Sequence, residues 1–446
     1  MAEHEHAPAV SVLELFYDLV FVVAIHDVAT GLETEATLWP DPVSLFLLRM
    51  FLVWSIWHRW AAHMNVALQI HHRALRAYHY VCVLLLLACM SFSSRAVKGN
   101  EDRTLLVLFG VQVWLQVALI CVEAVVARGK ERDFLLTMLK IMVPPTVLET
   151  ILVALAAYFA DGTAVPSLQC RLCWAAVAVL FLGTRTFAGC VMACSDPAKL
   201  PPVLFDEEHF QERYQLIMLI VMGEVVAAGA GVVSGSVSAI ALPLSAIVTA
   251  FLCFLIAFVA QPAARRNPWA CGHASRVHAP HAYLAMACSL AALGPAFARI
   301  VEEAGRHSKG PDEGEGASEG NEPSSGDAAR ADGCASVGLL YLSVGGFLIA
   351  SASVHALGED RAPSRCASST RAAVQAILGL LMCVLVLVPG CNANLAAALV
   401  PGLLAPLTLF QFWASAKAGA AADGHLQQPG VGSAALLGAD ERESTG

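Results

Sequence analysis

The stretch ELFYDLVFVVAIHDVATG, residues 14–31, decides the fold. A helix that crosses a bilayer needs about 20 mostly apolar residues, and this stretch has nearly that length and that composition. Further runs of the same kind lie at 43–66, 76–94, 104–127, 135–160, 172–193, 213–234, 240–261, 279–301, 335–357, 371–389 and 394–416. We therefore predict an all-α fold, a polytopic transmembrane bundle of about twelve spans.

The composition excludes a soluble globule. The chain has 446 residues, of which 57% are hydrophobic and 14% charged, whereas soluble domains have about 45–50% apolar and about 25% charged residues. No basic patch with interleaved aromatic residues indicates a nucleic-acid partner, so membrane lipids are the expected surroundings. Residues 1–10 are acidic and rich in histidine, which is not typical of a cleavable signal peptide. The first helix would then act as its own insertion signal.

An internal repeat is the second organising feature. At an offset of 198 residues, ERYQLIMLIVMGEVVAAG (212–229) aligns with residues 14–31, so that Glu212 matches Glu14 and Glu224 matches His26. A chance alignment of two valine-rich helices is the alternative. If the repeat is real, the two copies share one orientation in the membrane.

We accordingly divide the chain into two parallel six-helix repeats, residues 1–204 and 205–417. Within the second repeat, residues 305–334 are mainly Gly, Ser, Glu and Asp, and we expect a disordered acidic loop there. Residues 418–446 are expected to form a disordered tail. The Lys and Arg residues of the short connections favour both termini on the cytoplasmic side. The sequence does not identify the membrane.

Carboxylates inside the first helix are the strongest candidates for a functional site. Glu14 and Asp18 lie four residues apart and share one helix face, and His26 lies two turns further along. Charged residues inside spans are costly and usually face the bundle interior or a water-filled cavity. Two alternatives remain: a structural ion pair, and for Glu14 a capping box with Ser11.

Other spans offer partners for these carboxylates. Arg59 and Arg185 are candidate counter-charges, and the second repeat supplies Glu212, Arg213 and Glu224. Gly223 would let a neighbouring backbone approach closely. We expect Asp18 and Glu224 to face the bundle interior, with Arg59 or Arg185 within pairing distance of a motif carboxylate. Three tryptophans surround Arg59 and are interpreted as an interfacial belt: Trp54, Trp57 and Trp60.

Motifs for enzymatic or metal chemistry are absent from the sequence. It has no Gly-rich phosphate loop and no His-Glu-x-x-His metal box. The Cys170 and Cys173 pair has zinc-like spacing with Cys190 and Cys194, but these pairs would lie roughly 30 Å apart on one helix. We therefore expect no catalytic residues, no metal and no cofactor.

Two motifs resemble a known family. The segment ELFYDLVFVVAI (14–25) resembles the opening signature of the low-temperature-requirement protein A (LtrA) family. The segment ERYQLIMLIVMGEVV (212–226) is similar to that family's second signature, Glu-Arg-x-x-Leu followed by a hydrophobic run that ends in Gly-Glu. The resemblance covers about residues 10–300, whereas His26, Asp27 and the insert at 305–334 depart from the family pattern. It implies a multi-pass membrane protein whose biochemical activity is not defined.

Three functions remain open at this point. The leading hypothesis is a transporter or channel-like permease for a small ion or solute, with the buried carboxylates and arginines lining its path. The second is a membrane-embedded enzyme or lipid-handling protein that uses Asp18, His26 and Glu224 as acid and base. The third is a membrane stress-response protein without turnover, which would be favoured if every buried charge were paired. The sequence favours a non-enzymatic role and leaves the solute and homo-oligomerisation open.

Overall fold

The computed structural model describes most of the bundle. The described residues are 12–34, 41–67, 81, 84–85, 88–89, 91–92, 101–160, 167–194, 207–230, 237–259, 273–308, 325–357, 365–385 and 393–426. Within these ranges every regular element is a helix and no strand occurs. The all-α prediction is therefore correct for this part of the chain.

Eleven α-helices account for the described ranges, apart from the short helical pieces between 81 and 92. They are α1 Val12–Thr34, α2 Asp41–Ala67, α3 Asp102–Val126, α4 Lys130–Phe159, α5 Leu168–Cys194, α6 Glu207–Ala230, α7 Val237–Phe254, α8 His273–Ser308, α9 Ser325–Leu357, α10 Arg365–Leu385 and α11 Ala393–Leu426. A π-helical turn, Leu255–Val259, continues α7. Much of the predicted third span, 76–94, lies outside the described residues, so the number of twelve spans stays a prediction.

Six of these helices are long and apolar enough to cross a membrane. The candidate spans are Glu14–Leu32, Asp102–Val126, Leu135–Phe159, His278–Glu302, Ala335–Ala356 and Leu395–Trp413. Large apolar side chains point away from the bundle, for example Val125 at 81% exposure and Leu409 at 70%. An outer surface of this kind fits lipid and not water. The chain is an integral membrane protein.

Helix α2 lies at the centre of one part of the bundle. Residues 49–61 are all buried. The side chains of Trp54, Trp57 and Trp60 are at most 1% exposed, and the rings of Trp57 and Phe21 stack with centroids 5.4 Å apart. The predicted interfacial belt is therefore wrong, because these tryptophans pack against α1 and not at the membrane surface.

Helices α2 and α3 run in the same direction. Arg49 near the start of α2 contacts Asp102 at the start of α3, and His63 near the end of α2 contacts Glu123 near the end of α3. The two contacts join the same ends of both helices, which establishes their parallel course.

Helices α1 and α6 also run in the same direction. Glu14 contacts His209, 195 residues later, and further along the same two helices His26 contacts Glu224. Position numbers therefore rise together in both helices. The contacts occur close to the offset at which the two sequence motifs align.

Helices α8, α9 and α10 pack closely in the C-terminal half. At the α9–α10 contact, a Cβ added at Gly345 would lie 2.6 Å from the carbonyl oxygen of Gly379. Such a distance is too short for any side chain, so the two glycines allow the two backbones to touch.

Helix extends into both segments that were predicted to be disordered. Residues 305–308 belong to α8, 325–334 to α9 and 418–426 to α11. Alanine, the best helix former, is frequent at these positions of α9 and α11. The predicted boundaries were therefore too wide, while residues 309–324 and 427–446 lie outside the described part of the chain.

Candidate functional site

Two fully buried carboxylates on α1 are the starting point of the site. The side chains of Glu14 and Asp18 are both 0% exposed. They lie one helical turn apart, on the α1 face that meets α2 and α6. A buried carboxylate needs a positive charge or hydrogen-bond donors close to it, because burial removes its hydration.

Arg213 of α6 supplies the positive charge. Its Nη2 donates to Asp18 Oδ1 at 2.7 Å and its Nε to Asp18 Oδ2 at 3.4 Å. The Nη1 atom of the same guanidinium lies 3.7 Å from Glu14 Oε1. One arginine, itself 0% exposed, thus lies between both carboxylates. Its planar group suits this double contact better than a lysine would.

Two further donors complete this group. His209 Nε2 lies 3.0 Å from Glu14 Oε1, and Trp57 Nε1 of α2 donates to Asp18 Oδ1 at 2.8 Å. We call Glu14, Asp18, His209 and Arg213, with Trp57, the α1–α6 cluster. It ties three helices together inside the bundle.

Aromatic side chains surround the α1–α6 cluster. The ring of Tyr214 lies 4.9 Å from Trp57 and 4.9 Å from Tyr283 of α8, centroid to centroid. His58 of α2 hydrogen-bonds the Tyr214 hydroxyl through Nδ1. The rings exclude bulk water from the carboxylates, which strengthens every electrostatic interaction inside.

A second buried ion pair links α2 to α4. Arg59 Nη2 lies 2.6 Å from Glu149 Oε1 and 2.5 Å from Oε2. The guanidinium carbon of Arg59 also lies 4.8 Å from the ring centroid of Phe181 in α5. Gln116 of α3 donates to the backbone oxygen of Arg59 at 2.8 Å. This part of α2 therefore contacts three neighbouring helices.

Polar pairs also lie near both ends of the α2–α3 contact. Arg49 Nη2 lies 2.8 Å from Asp102 Oδ1 at one end, and His63 Nε2 lies 3.1 Å from Glu123 Oε1 at the other. From Arg49 to His63, α2 rises by about 21 Å at 1.5 Å per residue. Polar groups therefore follow α2 through most of the thickness of a bilayer core.

A small cavity adjoins the Arg59 pair. It is lined by Ile56, Arg59, Trp60, Gln112, Val113 and Gln116 and has room for about one water molecule. Both amide atoms of Gln112, a residue only 2% exposed, lack a hydrogen-bond partner. The Nε atom of Arg59 lacks one as well. Buried polar groups of this kind are usually satisfied by an ordered water.

A separate pair lies at the outer edge of α1 and α6. His26 Nδ1 lies 2.9 Å from Glu224 Oε2, and the two side chains are 47% and 36% exposed. Gly223 is also exposed, and an added Cβ there would meet nothing within 4 Å. This pair does not join Asp18, which lies two turns earlier on α1, so the acid and base of the enzyme hypothesis lie in different places.

The sequence-predicted site residues fall into four groups. Glu14, Asp18 and Arg213 meet in the α1–α6 cluster, and His26 meets Glu224. Arg59 pairs with Glu149 and not with a motif carboxylate, so the expected pairing of Arg59 or Arg185 does not hold for Arg59 and stays a prediction for Arg185. Arg213 pairs with Asp18 and lies near Glu14, because α6, and not α2, presents a guanidinium to both carboxylates.

The fourth group consists of predicted residues that are not placed in any of these three contacts. Glu212 is exposed and lies outside the α1–α6 cluster, unlike its aligned position Glu14. The backbone of Arg185 belongs to α5, but its side chain lies outside the described residues. Ser11, the partner in the suggested capping box, lies outside them too.

Sequence reasoning missed two members of the cluster. His209 lies four residues before Arg213 and therefore on the same face of α6, a spacing that signals a shared partner. Trp57 was assigned to the membrane surface, although tryptophan carries an N–H that needs an acceptor when buried.

The fold and these contacts define a polytopic helical membrane protein with paired charges inside its bundle. The chain belongs to the LtrA family, since the family model described as bacterial low temperature requirement A protein (LtrA) matches residues 9–410. The resemblance inferred from the two motifs is thereby confirmed over nearly the whole chain. Neither a curated protein nor a solved structure matches it.

Proposed function

We propose that this protein is a permease for a small cation, and that the ion binds at the carboxylates of the α1–α6 cluster. The observation that carries the proposal is the balance of charge in that cluster. Glu14 and Asp18 contribute two negative charges in a site with 0% exposure, while Arg213 contributes one positive charge. Among the described contacts of the two carboxylates, His209 is a group that can take up a proton.

The net charge of the α1–α6 cluster therefore depends on whether one further positive charge is present. An uncompensated charge inside a bundle is strongly unfavourable, so a proton on His209 or on one of the two carboxylates, or a bound monovalent cation, would restore neutrality. Chains of Asp, Glu and His inside a membrane are typical of proton and ion pathways. The aromatic side chains in and around the cluster, Tyr17, Trp57 and Tyr214, carry no charge in this exchange.

The pairs along α2 would extend the path. His63 with Glu123 needs one proton to be neutral, as the α1–α6 cluster does. Gln112 and Arg59 also line the small cavity beside the Arg59 pair. These groups would give a cation or a proton successive polar contacts inside an otherwise apolar bundle.

The same proposal includes the topology. We infer two parallel six-helix repeats with both termini cytoplasmic. The parallel course of α1 and α6 supports the parallel arrangement of the repeats. The different surroundings of Glu14 and Glu212 speak against equivalent sites in the two halves. One cluster shared by α1 and α6 would then serve the whole chain.

Flux into sealed proteoliposomes tests the function. The purified protein would be given a gradient of protons, Na⁺ or K⁺ in separate arms, which distinguishes a proton from an alkali ion. We expect flux of one of these ions, and loss of that flux in Asp18→Asn and Glu14→Gln. Asp133→Asn is the matched control, because Asp133 is exposed on α4 far from the cluster along the chain.

Two flux results would overturn the proposal. Folded wild-type protein that moves none of the three ions, or Asp18→Asn protein with undiminished flux, excludes the α1–α6 cluster as the ion site. Thermal melting of each variant shows whether it is folded before flux is compared.

A second function is favoured by a different observation. Arg49 with Asp102 and Arg59 with Glu149 are ion pairs buried inside the bundle, as expected of a membrane protein without turnover. A stress-response role of this kind predicts that Asp18→Asn lowers the stability of the protein and that no ion flux exists to be lost.

A further inference from the structure

A polar pair at the lipid-facing surface is the starting observation. His26 and Glu224 are 2.9 Å apart, yet their side chains are 47% and 36% exposed. His26 lies six residues before the end of the candidate span Glu14–Leu32, which is about 9 Å of helix. Lipid tails offer no hydrogen-bond partner at that depth.

The surroundings of the pair form one continuous surface. On α1, Leu15, Leu19 and Val23 fall on one stripe with His26 at 100° per residue. On α6, Leu219, Gly223 and Val226 form a corresponding exposed stripe. Because α1 and α6 are parallel and meet at His26 and Glu224, both stripes lie on the same side of the bundle.

We call this surface the α1–α6 face. It consists of Leu15, Phe16, Leu19, Val23 and His26 from α1 with Leu219, Gly223, Glu224 and Val226 from α6. It is apolar except for the seam between the helices, where one group that can be positive lies beside one that is negative.

We propose that the α1–α6 face binds a second copy of this chain, around a two-fold axis along the membrane normal. Such an axis keeps every residue at its own depth, so His26 of one copy comes opposite Glu224 of the partner. The seam is self-complementary in charge, as a two-fold interface requires. The four side chains then satisfy each other away from lipid.

Gly223 leaves room for a helix of the second copy to approach α6 closely. It is exposed beside Glu224, and an added Cβ would meet nothing within 4 Å. A glycine on the outer surface of a membrane helix lets a second helix approach closely. The lipid-facing surface therefore combines a small residue with a polar pair, the two features that hold membrane helices together.

Subunit counting in membranes tests the proposal. Full-length protein with one fluorophore per chain would be diluted into lipid vesicles and its photobleaching steps counted. We expect two steps for the wild type and one step for Gly223→Trp. Gly183→Trp on α5 is the matched control, since Gly183 is also exposed and its added Cβ also meets nothing within 4 Å; it should keep two steps.

A charge exchange tests the seam itself. His26→Glu alone should give one step, because it brings four carboxylates together, and His26→Glu combined with Glu224→His should restore two. One-step bleaching of the wild type overturns the proposal and leaves His26 and Glu224 paired only within one chain. Equal behaviour of Gly223→Trp and Gly183→Trp also overturns it, since the dimer would then use another surface.

Discussion

Arg59 of α2 and Glu149 of α4 form a charged pair in which Nη2 lies 2.6 Å from Oε1 and 2.5 Å from Oε2. Both residues are buried, at 8% and 3% exposure. Two helices that are distant in the sequence are thereby joined through their charges inside the bundle.

The Arg59→Gln variant should lose about 3–5 kcal/mol of unfolding free energy, because Glu149 is left as a buried charge without its partner. The double variant with Glu149→Gln should recover most of that loss. Denaturant titration in mixed micelles measures both. Arg132→Gln, at an exposed position of α4, should change little, and an Arg59→Gln variant as stable as Arg132→Gln contradicts the prediction.

Trp57→Phe should lower the unfolding free energy by about 1.5–3 kcal/mol, the range for a hydrogen bond to a charged group. The substitution keeps an aromatic ring and removes the N–H that Asp18 accepts. Trp174→Phe is the control, because Trp174 is also fully buried and its Nε1 has no hydrogen-bond partner. Equal losses in the two variants would show that ring size and not the hydrogen bond matters.

Gly379→Ala should lower the unfolding free energy by about 1–3 kcal/mol through overpacking. Its Cβ would lie 2.7 Å from the carbonyl oxygen of Gly345, a backbone atom that cannot rotate away. Gly402→Ala on α11 meets nothing within 4 Å and should leave the stability equal or higher. Thermal melting of the two variants measures this difference. A Gly379→Ala variant with unchanged stability would mean that α9 and α10 do not touch as described.

Cysteine labelling tests the proposed orientation. In a background without other cysteines, an impermeant reagent should label Gly320→Cys in sealed cells and leave Glu5→Cys and Gly430→Cys unlabelled. The expected pattern follows from the positive residues of the short connections, which favour the cytoplasmic side. Labelling at Glu5→Cys with protection at Gly320→Cys would reverse the orientation.

The positions of the motif carboxylates could be predicted from the sequence, whereas their arginine partner could not. The spacing of Glu14 and Asp18 places them on one helix face whatever the rest of the chain does. Several arginines were available as counter-charges, and only the packing of α6 against α1 selects Arg213 over Arg59. The choice depends on long-range contacts, for which the sequence holds no periodic signal.

Hydropathy supports six of the predicted spans among the described helices and is least informative for α2 and α6. Both helices carry charged side chains that other helices cover, so neither is among the helices apolar enough to cross a membrane by composition. Their burial depends on partners elsewhere in the chain. For the same reason Trp57 was predicted at the membrane surface but lies inside the bundle, where its Nε1 donates a hydrogen bond to Asp18.

The charges of α2 have a consequence for how the chain is made. An arginine near the middle of a membrane helix costs about 2.5–3.5 kcal/mol on insertion; α2 carries Arg59 in its interior and Arg49 nearer its start. Their carboxylate partners, Asp102 and Glu149, belong to α3 and α4 and leave the ribosome later. Until α3 and α4 have been synthesised, α2 lacks the carboxylates that offset this cost, and we therefore expect its stable insertion to depend on those later helices.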